Sequence, residues 1–139
     1  MPAHLRLNRS STLSDVAEYA YSTTVAPGTE LIYTAGACPL DAEGRTVAVG
    51  DYAGQARRVM ANLATALGEA GAGLADVVRT TVYVASTRQE DLVTAWEVVR
   101  DSFAEHQHDP PSTLLGVAVL GYDDQLVEVE AVAAVPAAE

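Results

Sequence analysis

Glu128 and Glu130 stand at i and i+2 of an alternating segment, Val127-Glu-Val-Glu-Ala131. In a strand they share one face, about 6.6 Å apart along the chain, while Val127, Val129 and Ala131 take the other. Two readings stay open. The carboxylates are either an ordinary solvated strand face, or an oligomer buries that face and leaves one of them in a cleft, suited to general-base work. Cys38, inside Ala35-Gly-Ala-Cys-Pro39, is the sole cysteine and has no histidine or arginine near it in sequence to activate it. Its expected role is that of a small buried hydrophobe. His106-Gln-His108-Asp109 has metal-ligand residue types, but it sits in one short loop with no second cluster to complete a tetrahedral set. A solvated loop and no metal are expected there. Trp96 falls on the apolar stripe of a helix and is expected in core or interface packing. The chain has no Gly-rich phosphate loop, nucleophile elbow or Walker pattern.

The elements that must position these residues follow from periodicity. His4 to Asn8 is a short possible strand. Tyr21–Ala26 and Glu30–Gly36 read as two strands joined at Pro27-Gly28-Thr29. Asp51 to Ala70 carries apolar residues at helical spacing, with Asp51 as cap and Gly71 as left-handed terminator. Val77 to Ser86 alternates, placing Val78, Thr80, Val82 and Val84 on one face and Arg79, Thr81 and Tyr83 on the other. Ser86-Thr-Arg-Gln89 has capping-box spacing ahead of a second helix striped by Leu92, Trp96, Val99 and Phe103. Thr113–Leu120 is a near-continuous apolar strand, expected to form a hairpin with Leu126–Val132 across Gly121-Tyr-Asp-Asp124. The order implies an α+β fold, one mixed sheet with two helices packed on one face. The uncovered face, carrying part of Leu114 to Leu120, looks too apolar for water and implies oligomerisation.

The 139 residues suit a single domain, 1–139, and 49% are hydrophobic with 19% charged, which is ordinary for a folded soluble chain. Nineteen acidic residues face eight basic ones, all arginine, for a formal charge of −11. With no arginine cluster larger than Arg57-Arg58, nucleic acid and anionic membrane are poor candidate partners. A lone cysteine, no apolar leader in Met1–Ser10 and no membrane-length apolar run make a cytoplasmic location the expectation.

Tyr21-Ser22, Leu31-Ile-Tyr-Thr-Ala-Gly36, Gln55, Asn62-Leu63, Gly71-Ala-Gly73, Asp76-Val-Val-Arg-Thr-Thr-Val-Tyr-Val84, Pro110-Pro-Ser-Thr113 and Glu128-Val-Glu-Ala-Val-Ala133 follow one another in order. Taken together they resemble the Rid family, the YjgF-like reactive-intermediate deaminases, over about residues 20–133. The resemblance implies a chorismate-mutase-like subunit, a homotrimer with clefts between subunits, and hydrolysis of enamines or imines without metal or cofactor. In that family an arginine holds the substrate carboxylate, a closing-strand glutamate positions water, and a tyrosine lines the pocket.

Carried over by position, Glu128 matches the glutamate and Tyr21 the tyrosine. Ser112 stands where the arginine belongs, Ala35 and Ala37 flank Gly36 in place of a serine and a glutamine, and Trp96 replaces an asparagine. A serine hydroxyl cannot make the two parallel bonds of a guanidinium, and losing one partner of such a buried pair costs roughly 2–5 kcal/mol. The resemblance therefore implies a divergent member, poor on 2-imino acids, with Trp96 and Leu114 forming an apolar pocket wall for a more neutral small-molecule substrate. The rival reading is a non-catalytic trimer that binds a small ligand. The ribonuclease activity attached to some relatives is opposed by the acidic balance and the absence of lysine.

Overall fold

The computed structural model describes residues 2–138. Four strands form one mixed sheet: β3 (Thr29–Tyr33), β4 (Val77–Ala85), β5 (Ser112–Val117) and β6 (Val127–Pro136). Their order is β3-β6-β4-β5, with β4 and β5 parallel and the other pairs antiparallel. β1 (Leu5–Asn8) and β2 (Ser22–Val25) make a separate antiparallel ribbon. β2 and β3 do lie either side of the expected turn, where Gly28 has φ +80°, yet each pairs elsewhere. Among the described residues no helix is long and apolar enough to cross a membrane.

Two helices cover one face of the sheet, as the α+β expectation requires. α1 (Tyr52–Glu69) starts where Asp51 accepts a bond from the Gly54 N–H, and the chain leaves it at Gly71 with φ +91°. It buries Ala56, Val59, Met60, Leu63 and Leu67. α2 (Gln89–Ala104) buries Ala95, Trp96, Val99 and Phe103. Against them lie Val77, Val82 and Val84 of β4 and Val127, Val129, Ala131 and Ala133 of β6.

Four local expectations are corrected. β5 and β6 do not form a hairpin, because β4 lies between them. The β4–α2–β5 segment is a crossover unit whose parallel pairing occupies one edge of β4 and leaves the other to β6. The buried face of β4 begins at Val77 instead of Val78, because the β4–β6 register shifts between Val77 and Arg79 and turns Val78 outward. Ser86 closes no capping box: Arg88 holds the cap position without a side-chain bond, while Ser86 donates to Asp91 (2.7 Å) and accepts from the Arg88 N–H (2.9 Å). β5 ends at Val117, and Val119 is 79% exposed.

His108 overturns the solvated-loop expectation. It is buried beneath Phe103, edge to face, with Nε2 2.7 Å from the Val77 carbonyl. Nε2 must carry the proton to donate to that carbonyl, which leaves Nδ1 buried without a partner among the described residues. Burial pushes this imidazole below its ordinary 6.5. The folded state therefore takes up a proton less readily than the unfolded chain. Its stabilising contribution is complete above pH 6.5 and is lost as pH falls toward the depressed folded value. Urea midpoints between pH 7.5 and 5.5 should fall by no more than the equivalent of about 1.4 kcal/mol per pH unit from this group. His108→Gln, which keeps a donor for Val77 but cannot titrate, should flatten that slope.

Candidate active site

Glu128 projects from β6 on the face the helices leave open, opposite Tyr83 of β4. Three contacts hold it. The chain beyond β3 runs beside β6, where the Ala37 N–H donates to Val129 O (2.7 Å) and the Val129 N–H to Ala37 O (3.2 Å). That lays Gly36 so close that a Cβ built on it would lie 2.2 Å from Glu128 Oε2. The Cys38 thiol reaches Glu128 Oε1 at 3.2 Å, and buried Gln125 donates to the same oxygen at 3.1 Å. Oε2 receives no protein hydrogen bond among the described residues and is the oxygen left for a proton of water or substrate.

The supporting residues come from α1. Asn62 donates to the carbonyls of Cys38 (2.8 Å) and Leu40 (3.0 Å). Gln55, fully buried, donates to Asp124 O (2.9 Å) and accepts from the Leu126 N–H (2.7 Å), which fixes the entry into β6. Gln125 also donates to Val127 O at 3.2 Å. Beside Glu128, the Tyr83 hydroxyl donates to Glu130 at 2.5 Å. The two strand carboxylates thus have different partners and different freedom.

Cys38 is half-buried and has an acidic neighbour that sequence distance concealed. Burial, followed by the bond to Glu128, pushes the thiol up to about 11. Alkylation at pH 7.5 should run roughly a hundredfold slower than for an ordinary exposed cysteine and accelerate toward pH 11. Removing the Glu128 charge should quicken it, although burial alone keeps it slower than a free thiol. A stopped-flow or mass-spectrometric time course with iodoacetamide measures both.

The remaining candidates lie elsewhere in the subunit. Ser112 opens β5 with its side chain toward the helices: the Thr80 hydroxyl donates to Ser112 Oγ (2.7 Å), which donates to Pro110 O (2.9 Å). Ser112 pairs with Thr80 and Glu128 with Tyr83, three residues along and two strands across, roughly 14 Å apart. Tyr21 and Ser112 instead line a cavity of about 420 Å³ at the sheet end, together with Ser22, Thr23, Arg79 and Thr113. The Tyr21 hydroxyl bonds to the Ser14 carbonyl. Trp96 and Leu114 do not wall the Glu128 site; both pack in the helix–sheet core, with Trp96 edge-on to Tyr19 at 5.6 Å. Gly36 lies against Glu128 and Ala37 pairs with the neighbouring Val129, with Ala35 preceding them on the same loop.

A family model described as endoribonuclease L-PSP matches residues 12–135. The chain belongs to this YjgF/RutC/Rid family. A RutC family protein of Pyrococcus abyssi is 36% identical over 113 residues, covering 81% of this chain and 84% of the relative. Among solved structures, the Rid family protein YyfB from Yersinia pestis superposes with a TM-score of 0.86 at 26% identity, covering 95% of this chain and 99% of that one. E. coli TdcF, solved with bound serine, is 28% identical with a TM-score of 0.66 and 92% coverage of both chains. The Rid assignment accounts for the order of segments from Tyr21 to Ala133, and for two helices on one face of a mixed sheet.

Two residues not singled out from the sequence stand beside these candidates, Gln125 at Glu128 and Arg79 in the cavity that Tyr21 and Ser112 line. Gln125 carried no signal, because a glutamine in a turn is ordinarily solvated. Arg79 carried one, since strand alternation already placed it on the open face with Thr81 and Tyr83.

Proposed function

We propose that this Rid protein is a cofactor-free hydrolase of small carbon–nitrogen double bonds, with Glu128 as the residue that positions water. The observation that carries the proposal is the asymmetry of the Glu128 carboxylate: Oε1 is held by Cys38 and Gln125, while Oε2 is left to accept from a non-protein donor. A carboxylate fixed at one oxygen and free at the other can hold a water in line with an electrophilic carbon and take its proton as the C–O bond forms. The nitrogen leaves as ammonia and the carbon becomes a carbonyl.

Tyr21 and the cavity at the sheet end lie too far from Glu128 within one subunit to serve one small substrate. A second copy packing on the open sheet face would bring one subunit's cavity to another's glutamate, and the trimer implied by the family resemblance does this three times. Leu31, Tyr33 and Leu115, each at least 42% exposed, supply apolar surface for that packing. The serine bound to TdcF supports a ligand of amino-acid size. Ammonia release from 2-iminobutanoate, generated in place by an amino-acid oxidase, tests the reaction. Sedimentation velocity tests the assembly, with a trimer expected and a monomer at micromolar concentration contradicting it.

A further inference from the structure

Losing the family's arginine at Ser112 suggests a cleft with no anion anchor, yet the cavity that Ser112 borders contains a guanidinium. Arg79 projects from β4 on the open face and lines the same 420 Å³ space as Tyr21, Ser22, Ser112 and Thr113. Its Nη2 donates to Thr113 Oγ1 at 3.2 Å. No carboxylate lies within salt-bridge distance of it among the described residues, whereas Arg9, Arg45, Arg88 and Arg100 each stand beside one. Glu130, on the adjoining strand, is engaged by Tyr83 instead.

We propose that Arg79 is the anion anchor of this cavity and holds the carboxylate of a small organic acid, taking over from β4 a task Ser112 cannot perform. Among the described residues Arg79 shares the lack of an acidic partner with Arg6, Arg57 and Arg58, so its bearing on the cavity rests on its place in the lining and on its bond to Thr113. Its planar fork offers parallel donors that match a carboxylate, and the bond to Thr113 restrains the fork before a ligand arrives. The Tyr21 and Ser22 side chains stand at the wall to meet the rest of a molecule with a few carbons, and the volume suits one of that size. The anchoring role rests on the proposed hydrolysis only for the fate of the bound acid, because binding itself needs no turnover.

The test titrates the full chain with 2-oxobutanoate and, separately, with its uncharged amide. Wild type should prefer the carboxylate by tenfold or more. Arg79→Gln should lose that preference, with affinity for 2-oxobutanoate falling roughly 30-fold or more and affinity for the amide unchanged. Arg79→Lys, which keeps the charge without the fork, should fall between them. Arg57→Gln removes an exposed arginine on α1 outside the cavity and should behave as wild type. No carboxylate preference in wild type, retention of it by Arg79→Gln, or an equal loss in Arg57→Gln would overturn the assignment. Arg79-dependent binding without hydrolysis would sink the hydrolase reading and leave the anchor standing. Hydrolysis without carboxylate preference would do the reverse.

Discussion

Glu128→Gln is expected to reduce turnover of an imine substrate by about 100- to 10,000-fold, the range typical of losing a general base, while ligand affinity stays within a few-fold of wild type. The substitution is close to isosteric. The amide oxygen can still accept from the Cys38 thiol and from Gln125, so the local bonds of Oε1 survive. What disappears is the proton acceptor at the Oε2 position. Steady-state ammonia release and equilibrium binding of 2-oxobutanoate separate the two effects. A parallel fall in both would mean that Glu128 shapes the site without positioning water, and unchanged turnover would remove it from the mechanism.

Gly36→Ala should inactivate the enzyme nearly as fully, for a different reason. The new methyl would lie 2.2 Å from Glu128 Oε2, 2.6 Å from its Cδ and 2.8 Å from its Cγ. Gly36 cannot retreat, because the neighbouring Ala37 backbone is bonded in both directions to Val129. The glutamate must therefore swing aside. Since its end is flexible, stability should fall by only about 1 kcal/mol, at the low end of overpacking costs. A displacement of even about 1 Å at a reacting group costs on the order of 100-fold in rate. Cys38 reports the same event independently: with the carboxylate gone from its side, the thiol should alkylate faster than in wild type. A Gly36→Ala protein with normal turnover would show that Oε2 is not the working oxygen.

Much of this arrangement was legible in the chain. The helix expected from Asp51 runs Tyr52–Glu69 with that aspartate as its cap, because amphipathic spacing and end chemistry agree there. Placing Glu128 and Glu130 on one strand face needed only the two-residue period. Strand partners were harder, since alternation says which face a residue takes and nothing about which strand lies beside it. The apolar segments after Pro111 therefore looked like a hairpin, although β4 separates them. The Cys38–Glu128 contact spans ninety positions and depends on a loop bridging to β6. His108 looked solvated because its neighbours are polar; only the fold places it under Phe103. The resemblance sets Ser112 at the family's arginine position, but the inward turn of its side chain toward Thr80 and the nearness of Arg79 belong to the three-dimensional sheet.

The hydrolytic reading stands on one comparison. Ammonia release would be followed from 2-iminobutanoate and from the uncharged imine that an amine oxidase makes from butylamine, each with wild type, with Glu128→Gln and without enzyme. Wild type should accelerate hydrolysis of the 2-imino acid well above the spontaneous rate, and Glu128→Gln should fall back to it. Spontaneous rates with wild type on both imines would contradict catalysis at Glu128 and leave a protein that binds small acids without transforming them.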